Sequence, residues 1–397
     1  MDAYGSGLTT TLSLGEAGTI RRIHAVRFPH SMGMFYAQVT KALGFVPDRH
    51  EGKILGLAAY GKTGPLGAEV RGRFIERDGT FEAPWLFDRR YVRGLSRSHP
   101  REDLAAAWQE NLEGVLVRYL AHYLKRLRVD CVALAGGVTA NVKLNQRIAE
   151  TPGVSRVFVY PAMNDSGTAA GAALTVQASL AGVRPARLRD VFLGPAFTDS
   201  DVQAAVAGRG LVTRLMRDSA DEIGDLLAQG KTVARCAGRM EYGPRALGNR
   251  SILYQAVDPR ANQWLNEKLK RTEFMPFAPA TLVEHAARCY RNLEVAVDAA
   301  RFMTITYDCT DFMKQASPAA VHVDGTARPQ LVDPDTNPSF HAILSAYHRR
   351  TGIPSVLNTS FNIHEEPIVC TPADAVATFL AGDLDCLALG DLLVSKA

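Results

Sequence analysis

The apolar positions of this chain change period several times, and the changes divide it into elements. Near the N-terminus Leu8, Thr10, Leu12 and Leu14 alternate, a turn spans 15–18, and a second β-like run fills 20–28, the layout of a β-hairpin. Between 102 and 128 the period becomes helical. Leu104, Trp108, Leu112, Val115, Tyr119, Leu120, Tyr123 and Leu127 fall on one stripe, which predicts a long helix with its aromatic residues in the core. Two strand, glycine turn, helix units follow, with strands at 129–134 and 157–161. The segment 182–200, rich in Arg and Pro, reads as a crossing between domains. Beyond it, helices are predicted at 201–211, 219–229, 262–270, 339–349 and 372–380, and strands at 231–237, 252–257 and 384–389. Residues 62–101 read as connective. A chain of 397 residues exceeds one ordinary core, so the expectation is an α/β protein of mixed α+β texture with domains at 1–185 and 186–397.

Composition narrows the function. Hydrophobic residues at 47% and charged residues at 22% are ordinary for a globular protein, and the net charge of +4 arises without a basic run. That argues against nucleic acid as a partner and leaves small anions open. Six cysteines stand singly with no CxxC pair, as expected for reduced thiols in the cytoplasm. No apolar run reaches the roughly eighteen residues of a membrane span, so no membrane partner is expected.

The densest chemistry lies at 238–251, where Arg239, Arg245 and Arg250 share a short stretch with Glu241, Pro244 and the glycines 238, 243 and 248. Arginine forks match phosphate and carboxylate oxygens two at a time, and glycines let a ligand approach the main chain. The alternative is a solvated turn whose arginines pair with nearby acids. Gly136 and Gly137, between a strand and a helix, suit a nucleotide, although tight helix packing also selects glycine. Asp165 opens the second such helix, where a carboxylate is usually a cap and, set against Asp2, could be half of a metal site. The His30-Ser31 pair and the Glu51-Gly52-Lys53 turn read first as local hydrogen bonding. Asn358, Thr359, Ser360 and Asn362 end a strand, and Arg328 follows a Gly325 turn.

In order along the chain stand FPHSMGMFYAQVTKALGF, EGKILGLAAYG, ALAGGVTANVKLN, PAMNDSGTAAGAAL, GRMEYGPRALGNRSIL, HVDGTARPQ and TGIPSVLNTSFNIHEEPIVCTP. This series resembles the O-carbamoyltransferases of nodulation-factor and antibiotic biosynthesis from Asp2 almost to the C-terminus. The resemblance implies an actin-like ATPase domain followed by a YrdC-type domain. It implies ATP and carbamoyl phosphate as substrates, a carbamoyl-adenylate intermediate, and a hydroxyl-bearing small-molecule acceptor; a homodimer is compatible with it. Arg245, Arg250, Lys270 and Arg271, with Arg328 as a further candidate, would hold carbamoyl phosphate, and Asn358 and Ser360 its carbamoyl end. Glu241 would orient an arginine. Gly136, Gly137, Asn141, Asn145 and Lys53 would hold the nucleotide, and Asp2 and Asp165 a divalent metal, Fe2+ or Mg2+.

Two departures change that picture. Met275 stands where many relatives carry arginine. The family also has an N-terminal segment with a His-x-x-x-His motif before the position of Asp2. Its absence here suggests a truncated product or misassigned start and a site favouring magnesium. Two other readings stay open: a threonylcarbamoyl-adenylate type tRNA-modifying protein, and a remnant that only binds nucleotide or carbamoyl phosphate.

Overall fold

The computed structural model describes residues 1–182, 188–270, 272–363 and 366–397, and the chain forms two compact units. Unit 1 comprises Met1–Arg187 and Glu294–Ala299, and unit 2 comprises Leu188–Leu293 and Ala300–Ala397.

In unit 1 the alternating N-terminal pattern forms the antiparallel hairpin β1 (Leu8–Glu16) and β2 (Thr19–Arg27). Its turn carries Ala17 and Gly18, both with positive φ, as a tight hairpin turn requires. Helix α1 (Met32–Ala42) starts at Ser31, whose hydroxyl accepts the Met34 N–H. Helix α2 is Glu51–Ala58, and α3 (Arg89–Ser98) lies inside the stretch expected to be connective. The helical stripe becomes α4 (Arg101–Leu127), with acids in its first turn and Lys125 and Arg126 in its last, complementing the helix dipole. Trp108 is fully buried and stacks on Phe35 at 5.1 Å, with Trp85 and Phe74 set edge-on around Phe35. Strands β3 (Cys131–Leu134) and β4 (Arg156–Val159) pair in parallel, with α5 (Val142–Ala149) between them in sequence.

Unit 2 is built on an eight-stranded mixed sheet among the described residues. Its strands are β5 (Leu211–Leu215), β6 (Val233–Cys236), β7 (Arg250–Tyr254), β8 (Ala278–Leu282), β9 (Gln330–Val332), β10 (Ser355–Ser360), β11 (Cys386–Leu389) and β12 (Leu392–Lys396), in the spatial order β9-β8-β10-β7-β6-β11-β12-β5. Alternate residues serve opposite faces. Cys386 and Ala388 join a cluster with Phe340, Ile343 and Tyr347 of helix α6 (Pro338–Thr351), while Leu387 and Leu389 join Val376 and Phe379 of α7 (Pro372–Ala381). Both faces of the sheet are therefore covered. The α/β class expected from the pattern is what the chain adopts.

Candidate functional site

The antiparallel strands β6 and β7 are joined by the Arg-rich loop, and Cys236 pairs with Arg250 where it closes. Glu241 is buried, and one of its carboxylate oxygens accepts main-chain N–H groups from Leu247 (2.7 Å), Asn249 (2.7 Å) and Arg250 (3.2 Å). It therefore shapes the loop's main chain rather than orienting an arginine as expected. Arg235, on β6, reaches into the same loop. Its Nη1 donates to the carbonyl of Gly248 (2.5 Å) and to Oδ1 of Asn249 (3.0 Å), and its Nη2 to the Ser339 hydroxyl (2.8 Å). Burial pulls its pKa down to about 10, against the attraction of Glu241. The sequence reading missed Arg235, and the signal was a lone cation inside an apolar strand.

Arg250 has a different role from the one expected. It opens β7 and is completely buried. Its Nε donates to the Cys370 carbonyl (3.0 Å), its Nη1 to the carbonyls of Asn249 (2.9 Å), Ala237 (3.1 Å) and Gly238 (3.3 Å), and its Nη2 to that of Pro195 (3.4 Å). A guanidinium has five N–H donors, and all three of these nitrogens are committed to main-chain carbonyls. Arg250 clamps the loop.

Arg245 and Arg328 stand in contrast. Both are part-buried, and the Nε of each is buried without a hydrogen-bond partner among the described residues. Burial lowers the pKa of both; for Arg328, which falls well below the usual range, the neighbouring Arg245 adds to the effect, and the Glu273 carboxylate opposes it in each case. Asn358, buried on β10, ties their supporting segments together. Its amide nitrogen donates to Oε1 of Gln330 (2.7 Å), two residues after Arg328, and to the carbonyl of Ala246 (3.2 Å), next to Arg245. Gln330 completes the brace by donating to the Leu247 carbonyl (2.7 Å). The Asn358 Oδ1 is buried and has no partner among the described residues. Two cations with free donors and a neutral acceptor are thus held together, which suits a small ligand with an anionic end and an N–H end.

The remaining expected residues of unit 2 divide. Lys270 is exposed with a left-handed backbone (φ +53°), and Arg271 lies outside the described residues. Ser360 ends β10 opposite Ser251. Asn362 closes its own turn by donating to the Glu366 carbonyl (2.7 Å). Met275 is part-buried.

In unit 1 the nucleotide candidates carry structural duties. Gly136 has φ +99°, and a Cβ there would come within 2.1 Å of the Met1 carbonyl oxygen, while one on Gly137 would meet Oδ1 of Asp2 at 3.1 Å. The first residues of the chain fill the space these glycines leave open. Asn141 caps α5 by accepting the Leu144 N–H (2.9 Å) and exchanges hydrogen bonds with Gln109 (2.8 and 3.0 Å). Asn145 donates to the Thr139 carbonyl (2.7 Å), and Lys53 is buried with its ammonium 6.0 Å from the Phe45 ring centre. Ser31 caps α1 locally and also donates to the Ala3 carbonyl (2.6 Å), whereas the His30 ring accepts the Ala83 N–H (3.1 Å) from far along the chain rather than making the local bond expected. The Asp2 carboxylate accepts the Ala3 N–H (2.8 Å), and Asp165 is exposed at the start of a single turn of 3-10 helix. No three of His, Cys, Asp and Glu come together for a metal among the described residues, so the two carboxylates do not form a built cation site. A separate cleft of about 360 Å³ between β1, α4 and β3 is lined by apolar residues such as Leu12, Leu116 and Leu134 together with polar ones such as Thr10, Ser13 and Asp130, and holds none of the candidate side chains.

A family model for the carbamoyltransferase N-terminus matches residues 1–174, and one for the carbamoyltransferase C-terminus matches 224–396. Nodulation protein NolO of Bradyrhizobium diazoefficiens is 34% identical over all of this chain and 74% of its own length. Nodulation protein NolNO of Sinorhizobium fredii is also 34% identical, over 60% of its length, and protein MJ1058 of Methanocaldococcus jannaschii is 33% identical over 92% of this chain and 62% of its own length. The chain thus spans between three-fifths and three-quarters of these relatives. Those matches do not support the expectation of a missing N-terminal segment. Among solved structures, full-length HypF in its phosphate- and nucleotide-bound form aligns with 47% of this chain and 22% of its own, at 16% identity and a TM-score of 0.32. No described helix is long and apolar enough to cross a membrane.

Proposed function

Because the chain belongs to the carbamoyltransferase family, we propose that unit 2 binds carbamoyl phosphate between Arg245 and Arg328 and that the whole protein passes the carbamoyl group to a hydroxyl of a small-molecule acceptor. The observation that carries this reading is the pair of unpartnered guanidinium Nε groups on two segments that Asn358, whose Oδ1 is also unpartnered, ties together. Carbamoyl phosphate has the complementary halves, a phosphate dianion and a carbamoyl NH2. The two arginines receive the phosphate oxygens, and Asn358 accepts an N–H from the carbamoyl end. When a nucleophilic oxygen adds to the carbamoyl carbon and the bond from that carbon to the bridging oxygen breaks, the bond's electron pair leaves with phosphate, whose charge both cations would meet. Glu273 keeps the empty pocket from carrying two wholly uncompensated cations.

ATP as co-substrate, a carbamoyl-adenylate intermediate and a cytoplasmic setting belong to this reading, as do the actin-like and YrdC-type assignments of the two units. No step is routed through a metal, because no third His, Cys, Asp or Glu joins Asp2 and Asp165 among the described residues.

The test is calorimetric titration of carbamoyl phosphate into the full chain and into Arg245→Met. Saturable binding that weakens about a hundredfold in the variant is expected, close to 2.7 kcal/mol. A folded wild-type protein that takes up no carbamoyl phosphate overturns the proposal. Pyrophosphate release from ATP in the presence of carbamoyl phosphate checks the adenylation step separately.

A further inference from the structure

Asn358 is buried on β10, and both N–H donors of its amide are taken, one by Oε1 of Gln330 (2.7 Å) and the other by the Ala246 carbonyl (3.2 Å). Gln330, buried at the start of β9, donates from its own amide nitrogen to the Leu247 carbonyl (2.7 Å). The two side chains thus form a relay that begins and ends on adjacent main-chain carbonyls of the Arg-rich loop. Those carbonyls are themselves held, since the Leu247 N–H is bound by the Glu241 carboxylate (2.7 Å). Arg245 directly precedes Ala246 and Arg328 stands two residues before Gln330, so the relay joins the segment of one candidate arginine to that of the other.

A carboxamide has nearly the same shape either way up, so its hydrogen-bond partners, not its packing, decide which end faces where. A main-chain carbonyl only accepts, and it cannot turn without its peptide. Facing Leu247, Gln330 must present its nitrogen, which sends its oxygen toward Asn358. Facing that oxygen and the Ala246 carbonyl, Asn358 must present its nitrogen in turn. Turning Asn358 over alone would set its oxygen against two acceptors, and turning both amides would set an oxygen against each carbonyl. Either arrangement strands buried polar atoms, which a dry interior penalises. What remains is the Asn358 Oδ1, buried and without a partner among the described residues, an acceptor whose sense is fixed before any ligand arrives.

We propose that Gln330 is a positioning residue that locks Asn358 as an acceptor, and that this lock makes the pocket select an acyl phosphate bearing N–H groups over one bearing a methyl group. The pocket rests on the carbamoyl phosphate reading above, whereas the locked orientation rests on the relay. Carbamoyl phosphate and acetyl phosphate share the phosphate and differ by NH2 against CH3, two groups of similar size. The arginines meet the phosphate of either one alike. Only an acceptor of fixed sense separates them, because acetyl phosphate leaves that oxygen buried and unpaired. An Asn358 free to turn could offer an N–H to the acyl oxygen that both ligands carry, and the distinction would fade.

Calorimetric titration of the full chain with carbamoyl phosphate and, separately, acetyl phosphate tests the lock, and the readout is the ratio of the two affinities. Wild type is expected to prefer carbamoyl phosphate by about a hundredfold. Gln330→Met, close to glutamine in size, removes the relay and is expected to cut that preference at least about tenfold, chiefly by weakening carbamoyl phosphate. Gln330→Glu still offers an oxygen to the Asn358 amide nitrogen. Its negative charge near the arginines is expected to weaken both ligands together and leave the ratio as in wild type. A residue that only supported the fold would lower both affinities in both variants without moving the ratio. Equal binding of the two acyl phosphates by wild type overturns the relay, and that result stands even where a variant fails to fold. So does a wild-type ratio in folded Gln330→Met, or a ratio that collapses equally in both variants. A folded wild type that binds neither ligand overturns the carbamoyl phosphate reading and the relay with it, whereas equal binding of both strikes the relay alone.

Discussion

Two loops of this molecule looked alike as sequence and differ as structure. The Gly136–Asn145 turn in unit 1 and the Arg239–Arg250 loop in unit 2 both combine glycines with hydrogen-bonding side chains between regular elements. In the first, the open space is filled by Met1 and Asp2, and Asn141 and Asn145 are tied to Gln109, Leu144 and Thr139. In the second, Glu241, Arg235 and Arg250 do the same internal work, yet Arg245, Arg328 and Asn358 are left with buried atoms unpartnered among the described residues. Buried polar groups are nearly always satisfied, so two neighbouring cations with buried, unpartnered Nε groups mark a place where a ligand would supply the missing partners. Glycines beside hydrogen-bonding side chains nominated both loops, and these two guanidinium groups set the second apart.

The sharpest way to break that comparison is to exchange the roles of its arginines. Arg250→Met leaves the carbonyls of Cys370, Ala237, Gly238, Asn249 and Pro195 without their shared donor, at an expected cost of about 3–5 kcal/mol in chemical denaturation. If Arg250 were instead a ligand-binding arginine, stability would hold and only carbamoyl phosphate affinity would fall.

Arg328→Met should act in the opposite sense. The empty pocket holds two like charges at close range, and burial with that repulsion depresses the Arg328 pKa in the folded state. A base whose folded pKa lies below its unfolded value destabilises the fold in full wherever it is protonated in both states, and that penalty is relieved only as pH rises through the folded pKa toward the unfolded one. At neutral pH the substitution should therefore raise Tm by about 2–4 °C, the shift expected for roughly 1 kcal/mol in a domain of this size. Carbamoyl phosphate binding should fall about a hundredfold in the same variant. A thermal scan with and without the ligand reads both effects, and a lower Tm in the ligand-free variant would mean that Arg328 has a structural partner.

How much of this was legible in the sequence depends on what each inference needed. The hairpin, the long helix and the α/β class follow from local periodicity, and their bounds moved by only a few residues. Helix α3 was passed over because its only buried residues are Val92 and Leu95, with charge around the rest of its surface. Arg250 was assigned to a ligand because strand β7 was expected to begin at 252. Starting two residues earlier turns that side chain inward, and no one-dimensional pattern fixes a strand end so closely. The Gly136–Gly137 turn was misleading for another reason. Its occupant is the start of the same chain, a contact between distant residues that spacing does not encode.

The smallest expected effect probes that last point. Asn141 accepts the Leu144 N–H as the cap of α5 and is doubly bonded to Gln109, which also receives the Tyr36 hydroxyl at 2.6 Å. Removing a cap of this kind costs about 1 kcal/mol, and leaving one Gln109 N–H unmet adds to that. Asn141→Ala should therefore lower stability by about 1–2 kcal/mol, while Asn141→Asp, which keeps the capping oxygen, should lose less. If Asn141 works only within the fold, ATP bound by either variant at saturating concentration should match wild type once both are folded. A nucleotide affinity that falls tenfold in Asn141→Ala, with stability unchanged, would return this turn to the active machinery and end the distinction between the two loops.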